Sequence, residues 1–130
     1  MNHRESVDHD AVLRARTLLL GSGTINIHEA VDAYRLLAEV SPAVYLPRLA
    51  QALLEYGTAD PRDPGTRLAV LTEAAAAARR MAAAEPRRAG LLRKALEACE
   101  QELTLLGRTE QARSVSEELA RAAGSEERDR

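Results

Sequence analysis

The chain has 130 residues, a length typical of one domain, and a formal net charge of −2 from 18 basic and 20 acidic groups. This near balance gives no overall field that would draw the chain to nucleic acid or to a membrane surface. It contains no Phe or Trp and only three Tyr, whereas it has 25 Ala and 19 Leu. Ala and Leu are strong helix formers and residues that favour strands are scarce, so the composition predicts an all-α protein.

The same survey indicates the cell compartment. A single cysteine, Cys99, excludes an intramolecular disulfide. No apolar stretch approaches the roughly 18 residues that span a bilayer, and the first ten residues are polar and charged, unlike a signal peptide. These features predict a cytoplasmic protein. Arg outnumbers Lys by seventeen to one, which together with the Ala content indicates a GC-rich genome.

Gly and Pro divide the chain into segments that each have helical periodicity. In chain order the six predicted helices span about 8–20, 27–40, 42–56, 66–84, 86–106 and 109–123. The first has Asp8 as its N-cap and ends at Gly21-Ser22-Gly23. The third follows Ser41, a good N-cap, and starts with Pro42 in the favoured first turn. Short connections between six helices imply antiparallel neighbours.

Proline and glycine also predict several helix boundaries. Pro47, in the second turn of the third helix, either kinks this helix or delays its start. Gly57 and Gly107 are natural stops for the third and fifth helices, and the stretch 58–65 is predicted to be a loop. The six helices pair into three hairpins within one domain, with a flexible tail at each end. The hairpins span about 8–40, 42–84 and 86–123, and the tails are 1–7 and 124–130.

An internal repeat supports this pairing. The segment 28–42 can be laid over 72–86 with a shift of 44 residues. The aligned identities are Glu29 with Glu73, Ala30 with Ala74, Ala33 with Ala77, Arg35 with Arg79, Ala38 with Ala82 and Pro42 with Pro86. A period of this order is typical of stacked helix pairs, because each pair buries its apolar stripe only against its neighbours.

The repeat resembles the tetratricopeptide repeat. The second helix of that family has small, bulky and apolar residues and a final proline at fixed spacing, which is similar here to Ala30, Tyr34, Leu37 and Pro42. The spacing recurs as Ala74, Ala78, Met81 and Pro86, and more weakly as Ala112, Ser116, Leu119 and Gly124. The first-helix pattern resembles Leu46, Leu49, Ala50 and Leu53, and then Leu96, Cys99, Glu100 and Leu103, where Glu100 departs from the family's small residue.

The resemblance implies a right-handed superhelical array of three hairpins, similar to tetratricopeptide-like proteins of high-GC actinobacteria. Two connections, 57–65 and the linker before Leu96, are longer than in the family. Partners of such arrays usually lie in a concave groove formed by the first helix of each hairpin. The implied groove positions are Val44, Pro47, Gln51, Leu54, Glu55, Lys94, Glu97, Gln101, Thr104 and Leu105. They either hold an extended peptide or a helix, or they are merely solvated because three hairpins make a short groove.

A basic cluster surrounds the junction of the fourth and fifth helices. It consists of Arg79, Arg80, Arg87, Arg88 and Arg93, next to Lys94. One interpretation is a site for an acidic partner segment or a phosphate. The other is that an Ala-rich helix needs charges to stay soluble. Nucleic acid is disfavoured because no aromatic residues interleave with the cluster for base stacking.

No catalytic constellation is recognisable, and the sequence predicts no enzyme, no cofactor and no metal site. The three histidines, His3, His9 and His28, lack metal-ligand spacing, and the Asp8-His9-Asp10 triplet has no closing ligands. Cys99 falls on an apolar stripe and is predicted to be a small buried hydrophobe. Neither a glycine-rich phosphate loop nor a nucleophile elbow is present.

These observations predict a cytoplasmic adaptor that binds a partner protein or peptide in the groove. A homodimer would cover the apolar end faces that short repeat arrays leave exposed. Two alternatives stay open. One is a ligand-binding or accessory helical domain of a biosynthetic or defence system, with a pocket lined by Tyr34, Tyr45, Arg48 and Cys99. The other is a self-assembling structural subunit.

Overall fold

The computed structural model describes residues 8–20, 26–59 and 63–128, and these ranges contain six α-helices and no β-strand. The helices are α1 (His9–Leu20), α2 (Ile27–Val40), α3 (Pro42–Ala59), α4 (Pro64–Arg80), α5 (Arg88–Leu105) and α6 (Thr109–Arg128). The prediction of an all-α protein with about six helices is confirmed. The predicted tail 1–7 and the Gly21-Ser22-Gly23 stop lie outside the described residues.

Side-chain caps begin several of these helices. The Asp8 carboxylate accepts a hydrogen bond from the Asp10 N–H at 3.0 Å, so Asp8 caps α1 as predicted. Asn26 accepts from the Glu29 N–H at 2.9 Å at the start of α2. At the start of α4, Asp63 accepts from the N–H and the hydroxyl of Thr66, both at 3.1 Å. This cap explains why α4 begins at Pro64 and not at the predicted Thr66.

Helix α3 excludes one of the two alternatives predicted for Pro47, and it contradicts the predicted stop at Gly57. The helix begins at Pro42 and continues through Pro47, so Pro47 does not delay its start. It also continues through Gly57 to Ala59. Among the described glycines only Gly107 has a positive φ, of 73°, so Gly57 does not form a helix stop. Residues 58–59 and 64–65 of the predicted loop are therefore helical, and 60–62 lie outside the described residues.

Later boundaries differ as well. Helix α4 ends at Arg80 instead of Ala84, and α5 begins at Arg88 instead of Pro86, which leaves the connection 81–87 between them. Helix α5 ends at Leu105, and Gly107 follows as the predicted glycine stop: the Gly107 and Arg108 N–H groups donate to the Thr104 and Leu103 carbonyls at 3.1 and 2.9 Å. Helix α6 continues past Gly124 to Arg128 and is therefore longer than predicted, while the predicted flexibility of 124–130 stays a prediction.

The core consists of leucine and alanine. Consecutive helices pack against each other from α1 to α6, and α3 also contacts α5. The most completely buried large side chains are Leu37, Leu53, Leu71 and Leu96. Helix α4 buries four alanines, Ala74, Ala75, Ala77 and Ala78, each at most 3% exposed. Because an alanine side chain is a single methyl group, neighbouring helices can lie close to this face. A smaller cluster joins α1 to α2.

Equivalent ion pairs join alternate helices. Arg35 on α2 donates to both carboxylate oxygens of Glu73 on α4, at 2.7 and 2.6 Å. Arg79 on α4 donates in the same way to Glu118 on α6, at 2.8 and 2.7 Å. These hydrogen bonds raise the pKa of both guanidinium groups. Arg35 and Arg79 are the residues that the sequence shift of 44 aligns, and each donates to a glutamate on the second helix after its own.

A third ion pair, between Arg67 on α4 and Glu102 on α5, is more buried. The Arg67 guanidinium lies 2.7 Å from Glu102 Oε1, and the Glu102 side chain is 8% exposed. Within the part of the chain that the structure describes, no helix is both long and apolar enough to cross a bilayer.

Gly57 allows the close approach of α3 and α4. A Cβ atom added to Gly57 would lie 2.7 Å from Leu71 Cδ2 and 2.9 Å from Leu71 Cγ. Leu71 is 1% exposed and cannot move away without disturbing the core. We expect Gly57→Ala to lower the free energy of unfolding by roughly 1–3 kcal/mol, because overpacking outweighs the gain in helix propensity. Urea unfolding measures this change.

The matched control is Gly90→Ala in α5, where an added Cβ would have no heavy atom within 4 Å. Alanine there should raise the free energy of unfolding, by about 0.5–1 kcal/mol at most, because it restricts the unfolded chain. Equal stabilisation by both substitutions would contradict the close packing of α3 on α4.

Candidate functional site

A groove runs between α3 and α5. Its central depression has a volume of about 470 Å³ and is lined by Tyr34, Pro47, Arg48, Gln51, Ala52, Glu55, Arg87, Gly90, Leu91 and Lys94. A second depression of about 350 Å³ is lined by Gln51, Leu54, Glu55, Thr58, Lys94, Glu97, Ala98 and Gln101. Gln51, Glu55 and Lys94 belong to both depressions. We therefore treat them as one feature, the α3–α5 groove.

The structure brings together seven of the ten predicted groove positions. These are Pro47, Gln51, Leu54, Glu55, Lys94, Glu97 and Gln101. Pro47 and Leu54 are buried and form part of the floor, whereas the polar side chains are exposed along the walls. Their assignment as partner-binding residues stays a prediction.

The other three positions do not line this groove. Val44 and Leu105 are 49% and 78% exposed. The Thr104 hydroxyl donates to the Glu100 carbonyl of its own helix at 2.8 Å. Thr104 and Leu105 lie at the end of α5, beyond the last α5 residue of the groove, Gln101.

Sequence reasoning missed several lining residues, and Tyr34 and Arg48 are the most informative. Tyr34 comes from α2, a helix that the family's groove does not include. It lies beside Tyr45, with ring centroids 6.3 Å apart. The Arg48 guanidinium lies 5.6 Å from the centre of the Tyr45 ring, a cation–π arrangement that orients the charge. The ligand pocket predicted as an alternative function includes Tyr34, Tyr45 and Arg48, so the sequence partly indicated that these residues lie together.

The central depression carries a surplus of positive charge. Its charged lining residues are Arg48, Arg87, Lys94 and Glu55. Arg87 donates to Glu85 at 2.7 Å and is thereby paired. Glu55 accepts a hydrogen bond from Gln51 at 3.2 Å. Arg48 and Lys94 form no ion pair with any other described residue, and against the single Glu55 carboxylate of the lining they leave one positive charge in excess.

Most guanidinium groups of the predicted basic cluster bind other residues of the protein itself. Arg79 is paired with Glu118, and the Arg88 guanidinium donates to the Met81 and Arg79 carbonyls at 3.1 and 3.2 Å. Arg93 lies 4.0 Å from Glu97 on its own helix. Arg80 is exposed and lines a depression beside Met81. The cluster therefore consists mainly of guanidinium groups that organise the end of α4 and the following connection.

The four residues of the predicted ligand pocket do not line a common cavity. Tyr34 and Arg48 line the groove, whereas Cys99 lines a separate depression of about 300 Å³ between α4, α5 and α6. Cys99 is 4% exposed, as predicted for a small core residue. Burial raises the pKa of its thiol, while a hydrogen bond with Thr72 acts in the opposite direction. A buried thiol of this kind is a poor nucleophile.

His28, on α2, packs against an aromatic side chain of α3. The His28 ring makes an edge-to-face contact with Tyr56, with ring centroids 4.5 Å apart. Among the described residues no three His, Cys, Asp or Glu side chains are grouped closely enough to hold a metal ion. No family model, curated protein or solved structure matches the chain.

The Arg79–Glu118 pair makes stability depend on pH. The hydrogen bond with Arg79 lowers the pKa of Glu118 below its ordinary value. A carboxylate with a lowered pKa in the folded state stabilises the protein above its unfolded pKa and loses this effect as pH falls. We expect Glu118→Gln to lower stability at about pH 7 and to reduce the loss of stability between about pH 5 and pH 3. Urea unfolding across this range measures both.

The matched control is Glu117→Gln, the same change at an exposed neighbouring position on α6. This variant keeps the Arg79–Glu118 pair and should therefore keep the wild-type loss of stability in acid. If Glu118→Gln loses stability in acid as steeply as the wild type, the pair is not a significant source of the pH dependence.

Proposed function

We propose that the protein is a cytoplasmic, tetratricopeptide-like adaptor that binds a segment of a partner protein in the α3–α5 groove. One observation carries the proposal: seven of the ten positions implied by the family resemblance line one continuous groove. In this proposal the six helices form three hairpins, α1 with α2, α3 with α4, and α5 with α6. They stack as a right-handed superhelical array.

The recurring ion pairs support the stacking of hairpins. Arg35–Glu73 links the second helices of the first two hairpins, and Arg79–Glu118 links those of the last two. The contact between α3 and α5 links the first helices of the same neighbouring hairpins. A repeat array requires such a pattern, because each hairpin contacts the next through equivalent surfaces.

The groove also has the chemistry that suits a protein segment. Its floor includes buried apolar residues such as Leu54 and Leu91, and its walls carry Gln51, Lys94 and Gln101. Amide side chains can donate and accept hydrogen bonds, as needed for the backbone of an extended peptide. The apolar floor offers contact area for its side chains. The groove is thus better suited to a peptide than the basic cluster, where most guanidinium groups already have partners.

Site-specific photo-crosslinking tests this function. A photoreactive amino acid replaces Gln51 or Gln101, and the full chain is expressed in its native cells. The expected result is crosslinking of both positions to the same segment of one partner protein, identified by mass spectrometry. The physical reason is that both residues line the same groove and face the same occupant.

The control position is Ser116, which is exposed on α6 away from the groove residues. It should crosslink to that partner at least tenfold less. Crosslinks of equal yield at Ser116, or different partners at Gln51 and Gln101, would contradict a single binding groove. Circular dichroism of each variant confirms that the helical fold is retained.

A further inference from the structure

The depression beside Met81 continues the α3–α5 groove, because Pro47 lines both of them. We call it the end pocket. Its volume is about 500 Å³, and it lies between the start of α3 and the connection 81–87. The lining from α3 is Pro42, Ala43, Leu46 and Pro47, and the remainder is Arg80, Met81, Ala82, Ala84, Glu85 and Pro86.

Hydrogen bonds hold the connection 81–87 in place. The Glu85 N–H donates to the Ala82 carbonyl at 3.0 Å, and the Arg88 N–H donates to the Glu85 carbonyl at 3.1 Å. The Arg88 guanidinium then binds the Met81 carbonyl at the end of α4. The outer wall of the end pocket is therefore formed in the free protein. A preformed pocket requires less ordering when a ligand binds.

The end pocket is suited to an apolar side chain. Leu46, Pro47 and Met81 are buried and lie at its base. The exposed alanines around it are short and leave the space above the base open. A methionine thioether adapts to side chains of different shape. Arg80 and Glu85 supply the charges in the lining, and Glu85 is already paired with Arg87.

The neighbouring central depression differs in chemistry, because Arg48 and Lys94 face it without an ionic partner among the described residues. Glu55 is the acidic residue of its lining and accepts from Gln51. Two cations on facing helices, against one carboxylate in the lining, leave an excess positive charge that can attract a ligand carboxylate and bind it through charge-assisted hydrogen bonds. The groove therefore places an apolar site next to an anion-binding site.

On the basis of the proposed function, we infer that the partner segment is an extended peptide with an apolar side chain in the end pocket and an acidic side chain between Arg48 and Lys94. Ala43 lies at the end pocket and Gln51 at the central depression. These two residues are eight positions apart on α3, which corresponds to about 12 Å along the helix. An extended peptide covers about 3.3 Å per residue. The acidic residue therefore lies about three to five positions from the apolar residue.

Peptide display tests this inference. A phage library of random twelve-residue peptides is selected on the immobilised full chain, and the affinities of synthetic versions are measured by fluorescence anisotropy. We expect enrichment of Asp or Glu about three to five positions from Leu, Met, Ile or an aromatic residue. Enrichment of Lys or Arg, or of no such pair, would overturn the inference.

Charge reversal tests the anion-binding site. The double substitution Arg48→Glu and Lys94→Glu should weaken binding of the selected acidic peptides at least tenfold. A new selection on this variant should enrich Lys or Arg in place of Asp or Glu and keep the apolar position. The control is Arg113→Glu with Arg121→Glu on α6, which makes the same change in net charge at exposed positions. Equal weakening by both double variants would overturn the site.

A substitution that fills the end pocket tests its role in binding. Ala43→Gln places a longer neutral side chain in the pocket and should weaken binding at least tenfold, with loss of the apolar preference. Ala89→Gln is the control, because Ala89 is also an exposed alanine in the second position of a helix. Unchanged affinity of Ala43→Gln would overturn the role of the end pocket.

The outcomes separate the inference from the proposed function. If the photo-crosslinks identify a partner at Gln51 and Gln101 but display selects no acidic–apolar pair, the groove binds a protein of different chemistry and only the inference fails. If the crosslinks are as strong at Ser116, the groove itself is wrong, and both fail.

Discussion

The close packing of α4 against α3 and α5 is the constraint on which the rest of the structure depends. The chain has no Phe or Trp to fill wide gaps between helices. Instead α4 buries a face of alanines, and Gly57 lets α3 lie directly against Leu71. Because α3 and α5 both pack on α4, they also contact each other. The groove is the surface depression that this three-helix contact creates.

Small side chains permit close approach but specify the relative position of two helices poorly, since one methyl group fits against another in many registers. Polar contacts between the helices determine their relative position instead. A bidentate Arg–Glu pair has strict geometry, and it recurs between α2 and α4 and between α4 and α6. The more buried Arg67–Glu102 pair joins α4 to α5 through a single hydrogen bond. These charged side chains thus help to align the helices of an Ala-rich chain.

The sequence was sufficient for the helices but not for every boundary or for the whole groove. Composition and Pro/Gly placement predicted six helices because these are local properties. The end of α3 differs from the prediction because Gly57 serves tertiary packing and not a left-handed turn. The start of α4 differs because Asp63 caps this helix. The resemblance supplied the α3 and α5 faces that line the groove, but the contribution of Tyr34 from α2 depends on how the helices stack. The end pocket depends on where α4 stops, which helix periodicity alone does not determine.

The early end of α4 also separates two kinds of positive charge. Arg79 and Arg88 serve the end of this helix and the connection 81–87, through hydrogen bonds to carboxylate and carbonyl oxygens. Lys94, the single lysine among seventeen arginines, lies on α5 facing the groove. Arginine is suited to fixed, planar contacts, whereas a lysine ammonium on a flexible stem adapts to ligands of varied geometry. The groove therefore combines this lysine with Arg48, and neither has an ionic partner among the described residues. This distinguishes the groove from the more basic cluster beside it, where most guanidinium groups have partners.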